Sequence, residues 1–401
     1  MPGPMDGVKV VELAVWVAGP ATSGLLADWG ADVVKIEAPP AGDPYRAFYS
    51  AAAGLALPIN PMFELDNRGK RSLLVDLTTE TGRAIVLRAI TGADVFLTNL
   101  RLGALERAGL DAATLLAARP RLVYALATGY GTAGDERDRA AYDAGAFWGR
   151  AGVGATLAPA GGEPPFPRTA FGDHATALAL VGGVAAALFA RERTGRGGLV
   201  TTSLLRTGLY IVGADANQVL RLGIPPIPLE RASMPNPLCT YYRTKDDRWI
   251  FLLGLQADRH WPDLVRAIAK PEWRDDPRFV DIAARRTNFR ELIAELDAIF
   301  ATRSFAVWAE RLDAAGMWWA PVQTIPEALS DSQTAASGAF IDVPVADGTA
   351  RMLATPVEFG DHRPTAARPA PEPGEHTEEV LLELGYDWDA IADLKASRVI
   401  P

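Results

Sequence analysis

Strand-like and helix-like segments alternate through the N-terminal half of the chain, and this alternation constrains the fold more than any other feature of the sequence. Val8–Leu13 is a short run rich in β-branched residues. Gly19–Gly30 follows as a helix with Pro20 near its start and a glycine stop, and Asp32–Glu37 is the next strand. Thr79–Ala93 reads as a helix, Asp94–Asn99 and Leu122–Gly129 as strands, and a long helix is expected over about Thr176–Arg191. This spacing predicts an α/β fold with a parallel sheet. In such sheets ligands bind beyond the carboxyl ends of the strands. The loops Glu12–Gly19, Glu37–Arg46, Asn99–Gly103 and Gly129–Tyr142 are therefore the expected crevice.

The pattern changes near Pro225, where a proline-rich stretch marks a crossover or domain boundary. Cys239–Gly254 reads as a hairpin turning at Lys245–Asp247, and helical segments run through Phe289–Gly316. The middle region, 225–330, is expected to form a smaller α+β domain. Phe359–Pro373 reads as a linker, and Gly374–Asp387 as a terminal helix with a glycine stop.

With 401 residues, 49 % of them hydrophobic, the chain can bury a large core and form more than one domain. Its net charge is −9 and its arginines are scattered among acids, which argues against a nucleic-acid surface. A few local arginines can still bind a phosphorylated ligand. The single cysteine, Cys239, excludes an intramolecular disulfide and a multi-cysteine cluster. His174, His260, His362 and His376 are spread without metal-ligand spacing, so no bound metal is expected. The N-terminus lacks a signal-peptide pattern, and the longest apolar run, Ala175–Ala190, falls short of the ~20 residues of a membrane span. A soluble, cytoplasmic protein is expected. GxGxxG, GxxxxGK[ST] and GxSxG are all absent, which removes the usual local support for dinucleotide, nucleoside triphosphate and serine-hydrolase readings.

Asp173 lies between Gly172 and His174, just before the long apolar stretch. An aspartate there serves as a helix cap, accepting bonds from unpaired backbone N–H groups. The same position suits a nucleophile, because the helix start stabilises the anion and the flanking glycine leaves room for an electrophile. A carboxylate attacking a thioester gives a mixed anhydride, itself an activated acyl donor. Composition leaves both readings open.

Gly19–Pro20, Leu26–Glu37, Asn67–Leu77, Asp94–Leu110, Pro120–Gly131, Gly172–Gly197, Asn236–Leu238, Tyr242–Ile250 and Gly374–Gly385 together resemble the class III coenzyme A transferases. This superfamily includes formyl-CoA transferase, carnitine CoA-transferase and α-methylacyl-CoA racemase. The resemblance implies a Rossmann-like large domain from both chain ends (1–224 plus 331–401), a small middle domain, and an intertwined homodimer. It implies an enzyme that binds acyl-CoA and a carboxylic acid as substrates, with no tightly bound cofactor. The family's nucleophile falls on Asp173. Arg107 matches an arginine near the nucleotide part of CoA, a role suited to a guanidinium. Asn99 and Leu100 match the loop beside the CoA chain, and Arg46, Gly131 and the first loop (Val15, Trp16, Val17) complete the expected contacts.

Two departures from formyl-CoA transferase shape the substrate expectation. Val15–Val17 replace a stretch carrying histidine and glutamine, and a tetraglycine loop is missing near Leu253–Trp261. Formate and oxalate are disfavoured, and a bulkier, apolar acid is expected. Racemases of the superfamily place a His–Asp pair where this chain has Tyr142–Asp143. Tyrosine, with a reference pKa of ~10, is a poor base at neutral pH. Tyr142 is expected to donate a hydrogen bond to the substrate carbonyl or hold a neighbouring carboxylate. A CoA-transferase is the reading; a 2-methylacyl-CoA racemase and a non-catalytic CoA-binding scaffold are the alternatives.

Overall fold

Six short strands carry the apolar pattern of the larger unit: β1 (Lys9–Leu13), β2 (Asp32–Glu37), β3 (Arg71–Leu74), β4 (Val95–Thr98), β5 (Val123–Thr128) and β6 (Gly198–Ser203). All pair in parallel, in the order β3-β2-β1-β4-β5-β6. The computed structural model describes residues 3–48, 54, 59–227, 230–231, 234–345, 348–360 and 368–401. The middle of the expected linker at 359–373, with His362, lies outside the described residues.

Strands of a parallel sheet are covered on both faces and read as apolar throughout. Val10, Val33, Val95, Leu97 and Val123 face one layer, where they meet Leu26 of α1 (Ala18–Asp28) and Leu180, Val181 and Val184 of the long helix Phe171–Thr194. Val11, Leu13, Val34, Ile36, Phe96 and Tyr124 face the other, packed against α3 (Glu80–Thr91), α4 (Leu102–Ala108), α5 (Ala112–Ala118) and the C-terminal helices Thr377–Glu383 and Trp388–Ala396. The short α2 (Pro61–Asn67) precedes β3; Asn60 caps it by accepting from Met62 and Phe63 N–H. The long helix is α6, and α7 (Leu204–Ile211) and α8 (Gly213–Leu222) follow β6.

Buried polar positions break the apolar rule, Glu12 and Lys35 foremost. Glu12 of β1 lies opposite Lys35 of β2 in the ladder. Lys35 and Lys70 each place Nζ 2.7 Å from the Glu12 carboxylate, Lys35 also sits 2.9 Å from Asp43, and all four side chains are fully buried. Burial alone would raise the Glu12 pKa, yet the two lysines hold it down at about 2. This neutral cluster ties the ends of β1 and β2 to the loops above them.

The start of the long helix differs from the expectation. α6 begins at Phe171 rather than near Thr176, because Gly172, Asp173 and His174 continue the helix instead of preceding it. At this length α6 is long and apolar enough to cross a membrane by length and composition alone, which the apolar run by itself did not indicate.

Contacts divide the chain into two compact units: 1–156, 165–225 and 338–401 form the first, and 157–164 with 226–337 form the second. The second has a three-stranded antiparallel sheet of β7 (Tyr241–Arg243), β8 (Trp249–Leu252) and β9 (Trp319–Val322). Helices α9 (Ala257–Ile268), α10 (Phe289–Phe300) and α11 (Phe305–Ala315) enclose a core of Tyr242, Ile250, Trp261, Leu264, Leu296, Phe300 and Trp308.

Candidate active site

The sheet order reverses between β1 and β4, which in a sheet of this kind marks the ligand crevice. Asn99, just past β4, bridges this point. Its Oδ1 accepts from Val15 N–H at 3.0 Å and its Nδ2 donates to Val15 O at 2.6 Å. Asn99 therefore acts on the backbone of the first loop. Gly19 permits the approach, since a β-carbon there would lie 3.3 Å from Asn99 Cγ and 2.6 Å from Ala14 Cβ.

The first loop is held in an uncommon shape. Trp16 has φ +67°, in the left-handed region that non-glycine residues rarely enter, and its N–H donates to Asp43 Oδ1 at 3.0 Å. Asp43 in turn belongs to the buried ion cluster. The loop so fixed directs the Trp16 indole into an aromatic group: Tyr45 at 6.2 Å, Phe48 at 5.5 Å and Tyr142 at 5.4 Å between ring centroids. Tyr142 is 62 % exposed, whereas Val17 is buried against Tyr45, Phe63, Ala170 and Ala177.

Beside this group lie three carboxylates. Asp173 occupies the first turn of α6, but the helix is capped at Ala170, also left-handed at φ +62°, and Asp173 makes no capping bond. The cap reading from the sequence is corrected by this geometry. A first-turn N–H, that of Gly172, instead donates to Asp143 Oδ2 at 3.2 Å. Asp143 is 9 % exposed and immediately precedes a π-helical turn, Ala144–Arg150. His174 Nε2 lies 3.0 Å from Oδ1 of the buried Asp66 at the end of α2. Burial and the neighbouring Asp143 charge push the Asp173 pKa up to about 7, with His174 opposing the rise and Asp66 adding to it. Burial also raises Asp143, against the backbone N–H groups that favour its anion. Burial, then the charges of Asp66, Asp173, Asp43 and Asp143, push the Tyr45 phenol up, so it stays protonated and able to donate.

The remaining expected residues fall elsewhere. Leu100 and Arg107 line a separate cavity of about 300 Å³ with Leu13, Thr78, Arg83 and Leu110. Arg107 is exposed and has no hydrogen-bond or ion-pair partner among the described residues. Arg83 donates to Leu77 O at 3.1 Å and Thr78 O at 2.9 Å. Arg46 is engaged at three points, by both Glu37 oxygens and by Pro371 O, and lies over the Phe63 ring. Gly131, at φ +105°, donates to Thr128 Oγ1 at the end of β5. Among the described residues no three metal-ligating groups converge on a metal-sized site. Sequence reasoning missed Asp66, Tyr45 and Arg83. None belongs to a local motif; only the fold brings them to these places.

Comparisons with known proteins bear on the family and the fold. The sequence pattern described as CoA-transferase family III matches residues 5–377. The chain is 33 % identical to (R)-2-hydroxy-4-methylpentanoate CoA-transferase of Clostridioides difficile, covering 99 % of each chain. It is also 33 % identical to cinnamoyl-CoA:phenyllactate CoA-transferase of Clostridium sporogenes, covering 98 % of this chain and 97 % of that one. A CaiB/BaiF family protein from Brucella suis has a crystal structure similar to this fold at a TM-score of 0.84 and 31 % identity, covering 96 % of this chain and 100 % of that one.

Proposed function

We propose, for a chain that belongs to CoA-transferase family III, that coenzyme A passes from an acyl-CoA donor to a bulky or apolar carboxylic acid through Asp173. The observation that supports this reading is a half-buried carboxylate at the start of α6 with Asp143, His174 and Asp66 close enough to act on its charge, burial and Asp143 raising its pKa to about 7. Such a group is ionised in useful amounts at neutral pH and still basic enough to attack a thioester.

The sequence of bonds is as follows. A carboxylate oxygen of Asp173 attacks the thioester carbon, the C–S bond breaks, and CoA leaves as the thiolate. The thiolate attacks the aspartyl carbon of the resulting anhydride and releases the donor acid, leaving an aspartyl-CoA thioester. The acceptor carboxylate then attacks that thioester and frees the thiolate again. Attack of the thiolate on the acceptor's acyl carbon gives the new acyl-CoA and restores Asp173. Every step exchanges one activated acyl group for another, so no nucleotide hydrolysis is needed. Tyr142 and Tyr45 are suited to donate hydrogen bonds where the carbonyl oxygen gains charge.

Arg107, unpaired at the rim of its cavity beside Leu100 and Arg83, is the proposed partner for a phosphate of CoA. Arg46 and Asn99 act by bracing the loops that shape the site. The group formed by Trp16, Phe48 and Tyr142 favours a branched or aromatic side chain, and burying its carbons contributes roughly 0.8 kcal/mol per methylene. The names of the two similar enzymes, which act on 2-hydroxy-4-methylpentanoate and on cinnamoyl and phenyllactate groups, support that class.

The test pairs several acyl-CoA donors with a panel of small, branched and aromatic acids, with hydroxylamine added to trap acyl groups on the protein. Asp173 is expected to be recovered as the hydroxamate, and Asp173→Ala should lower exchange by at least about 10³-fold. Solvent deuterium appearing at the α-carbon of an acyl-CoA, with no acyl group trapped, would instead identify a racemase.

A further inference from the structure

His174 follows Asp173 on α6, and its partner comes from a different element. Asp66 reaches it from the end of α2, which lies so close to α1 that a β-carbon on Gly24 would sit 2.6 Å from the Asp66 carbonyl oxygen. The Asp66 side chain is 3 % exposed, and its Oδ2 has no hydrogen-bond partner. Among the described residues His174 is the only side chain bonded to this carboxylate. A carboxylate buried to this degree loses hydration that a single neutral partner does not replace, so the pair favours a charged imidazole.

The charged groups acting on His174 are Asp66 from α2, Asp173 on its own helix, and Asp143 from the segment before the π-helical turn. Behind Asp66, Lys70 of the buried ion cluster also senses its charge. An Asp28–Arg68 ion pair lines the same cavity of about 180 Å³ as Asp66 and His174. That pair is internally neutral, and Lys70 is paired with Glu12, so the carboxylates acting directly on His174 are Asp66, Asp173 and Asp143.

We propose that Asp66 is a positioning residue that holds His174 as an imidazolium beside Asp173, and that this cation favours the ionised nucleophile by offsetting part of the repulsion of Asp143. The proposal rests on Asp173 being the nucleophile. Burial opposes the charge on His174, but the bond and charge of Asp66, joined by Asp173 and Asp143, raise its pKa above the ordinary value. On Asp173, the opposing influence of His174 outweighs the direct repulsion of Asp66. Asp66 is itself an anion, so it favours ionisation of Asp173 only through the imidazole. That indirect action gives it a signature no simple packing role shares.

Titration of the His174 ring and the Asp173 carboxyl by NMR, in the full-length protein without substrate, reads this signature. Asp66→Asn should lower the His174 pKa by about one unit or more and raise that of Asp173. His174→Gln alone should also raise Asp173. In the His174→Gln background, adding Asp66→Asn should reverse sign and lower Asp173, because only a like charge is then removed. An unmoved His174, or an Asp173 pKa that falls when Asp66 is replaced with His174 present, overturns the proposal. If Asp66→Asn does not fold, His174→Gln still decides, since an unchanged or lowered Asp173 pKa is equally fatal. Failure of the nucleophile reading would show separately, as absence of the trapped hydroxamate.

Discussion

Asp173 faces opposed demands. Attack on a thioester needs the anion, while burial and Asp143 favour the acid and leave its pKa near 7. Acylation should therefore rise with pH through about 7 and level off above it. The same shift acts on stability. The folded pKa lies above the ordinary value, so the contribution of this group is fully present at low pH and is lost as pH rises through about 7. Asp173→Asn should consequently melt higher than the parent at about pH 8, by on the order of 1–3 kcal/mol after allowance for solvent screening, with the gain shrinking toward pH 4. Thermal melts of both proteins across that range check the slope, and a gain that grows on acidification would contradict it. Asp173, Tyr142 and the first loop were legible in the sequence because they sit in local motifs. Tyr45 and Asp66 were not, since their importance lies in an approach to Asp173 from the loop after β2 and from α2 that no spacing along the chain encodes.

At the scale of elements, the start of α6 is seated against the π-helical turn without room to spare. A β-carbon on Gly172 would lie 2.5 Å from Cγ of Phe147, within the ring's own contact distance. Gly172→Ala should push the first turn of α6 away from that ring. It should also lengthen the 3.2 Å bond from Gly172 N–H to Asp143 and displace Asp173. The expected cost is about 1–3 kcal/mol of stability. Acyl transfer should fall by roughly 10²-fold, as for a displacement near 1 Å. Melting temperature and hydroxamate yield measure the two effects, and full activity at unchanged stability would show that the turn relaxes freely. The regular elements were readable from apolar periodicity and glycine stops. The π-helical turn was not, nor were the left-handed residues Trp16 and Ala170, because neither position carries the glycine that usually signals such a backbone. Trp16 is held there by Asp43 and the ion cluster beneath it, a tertiary cause acting on a local conformation.

For the molecule as a whole, the helices after β6 pose the question of what covers them. α8 buries none of its residues, although Val219, Leu220 and Leu222 are apolar, and Tyr210 of α7 is 86 % exposed with Leu220 at 79 %. Tyr210 and Leu220, with Arg206, Thr207, Leu209, Ala216 and Asn217, line a cavity of about 440 Å³ that opens outward. An apolar surface of this extent on one unit is costly in water and calls for a partner. A second copy of the chain is the expected partner, as the family resemblance implied. Sedimentation should then give a dimer that persists at low concentration. Paired substitutions Tyr210→Asp and Leu220→Asp should destabilise it, because each places a charge on a surface that must lose its water on association. Both side chains are exposed, and among the described residues neither is bonded to the carboxylates of the site. Loss of activity in step with loss of the dimer would therefore mean that assembly completes the enzyme. A monomeric parent protein with full turnover would remove both the dimer and that dependence.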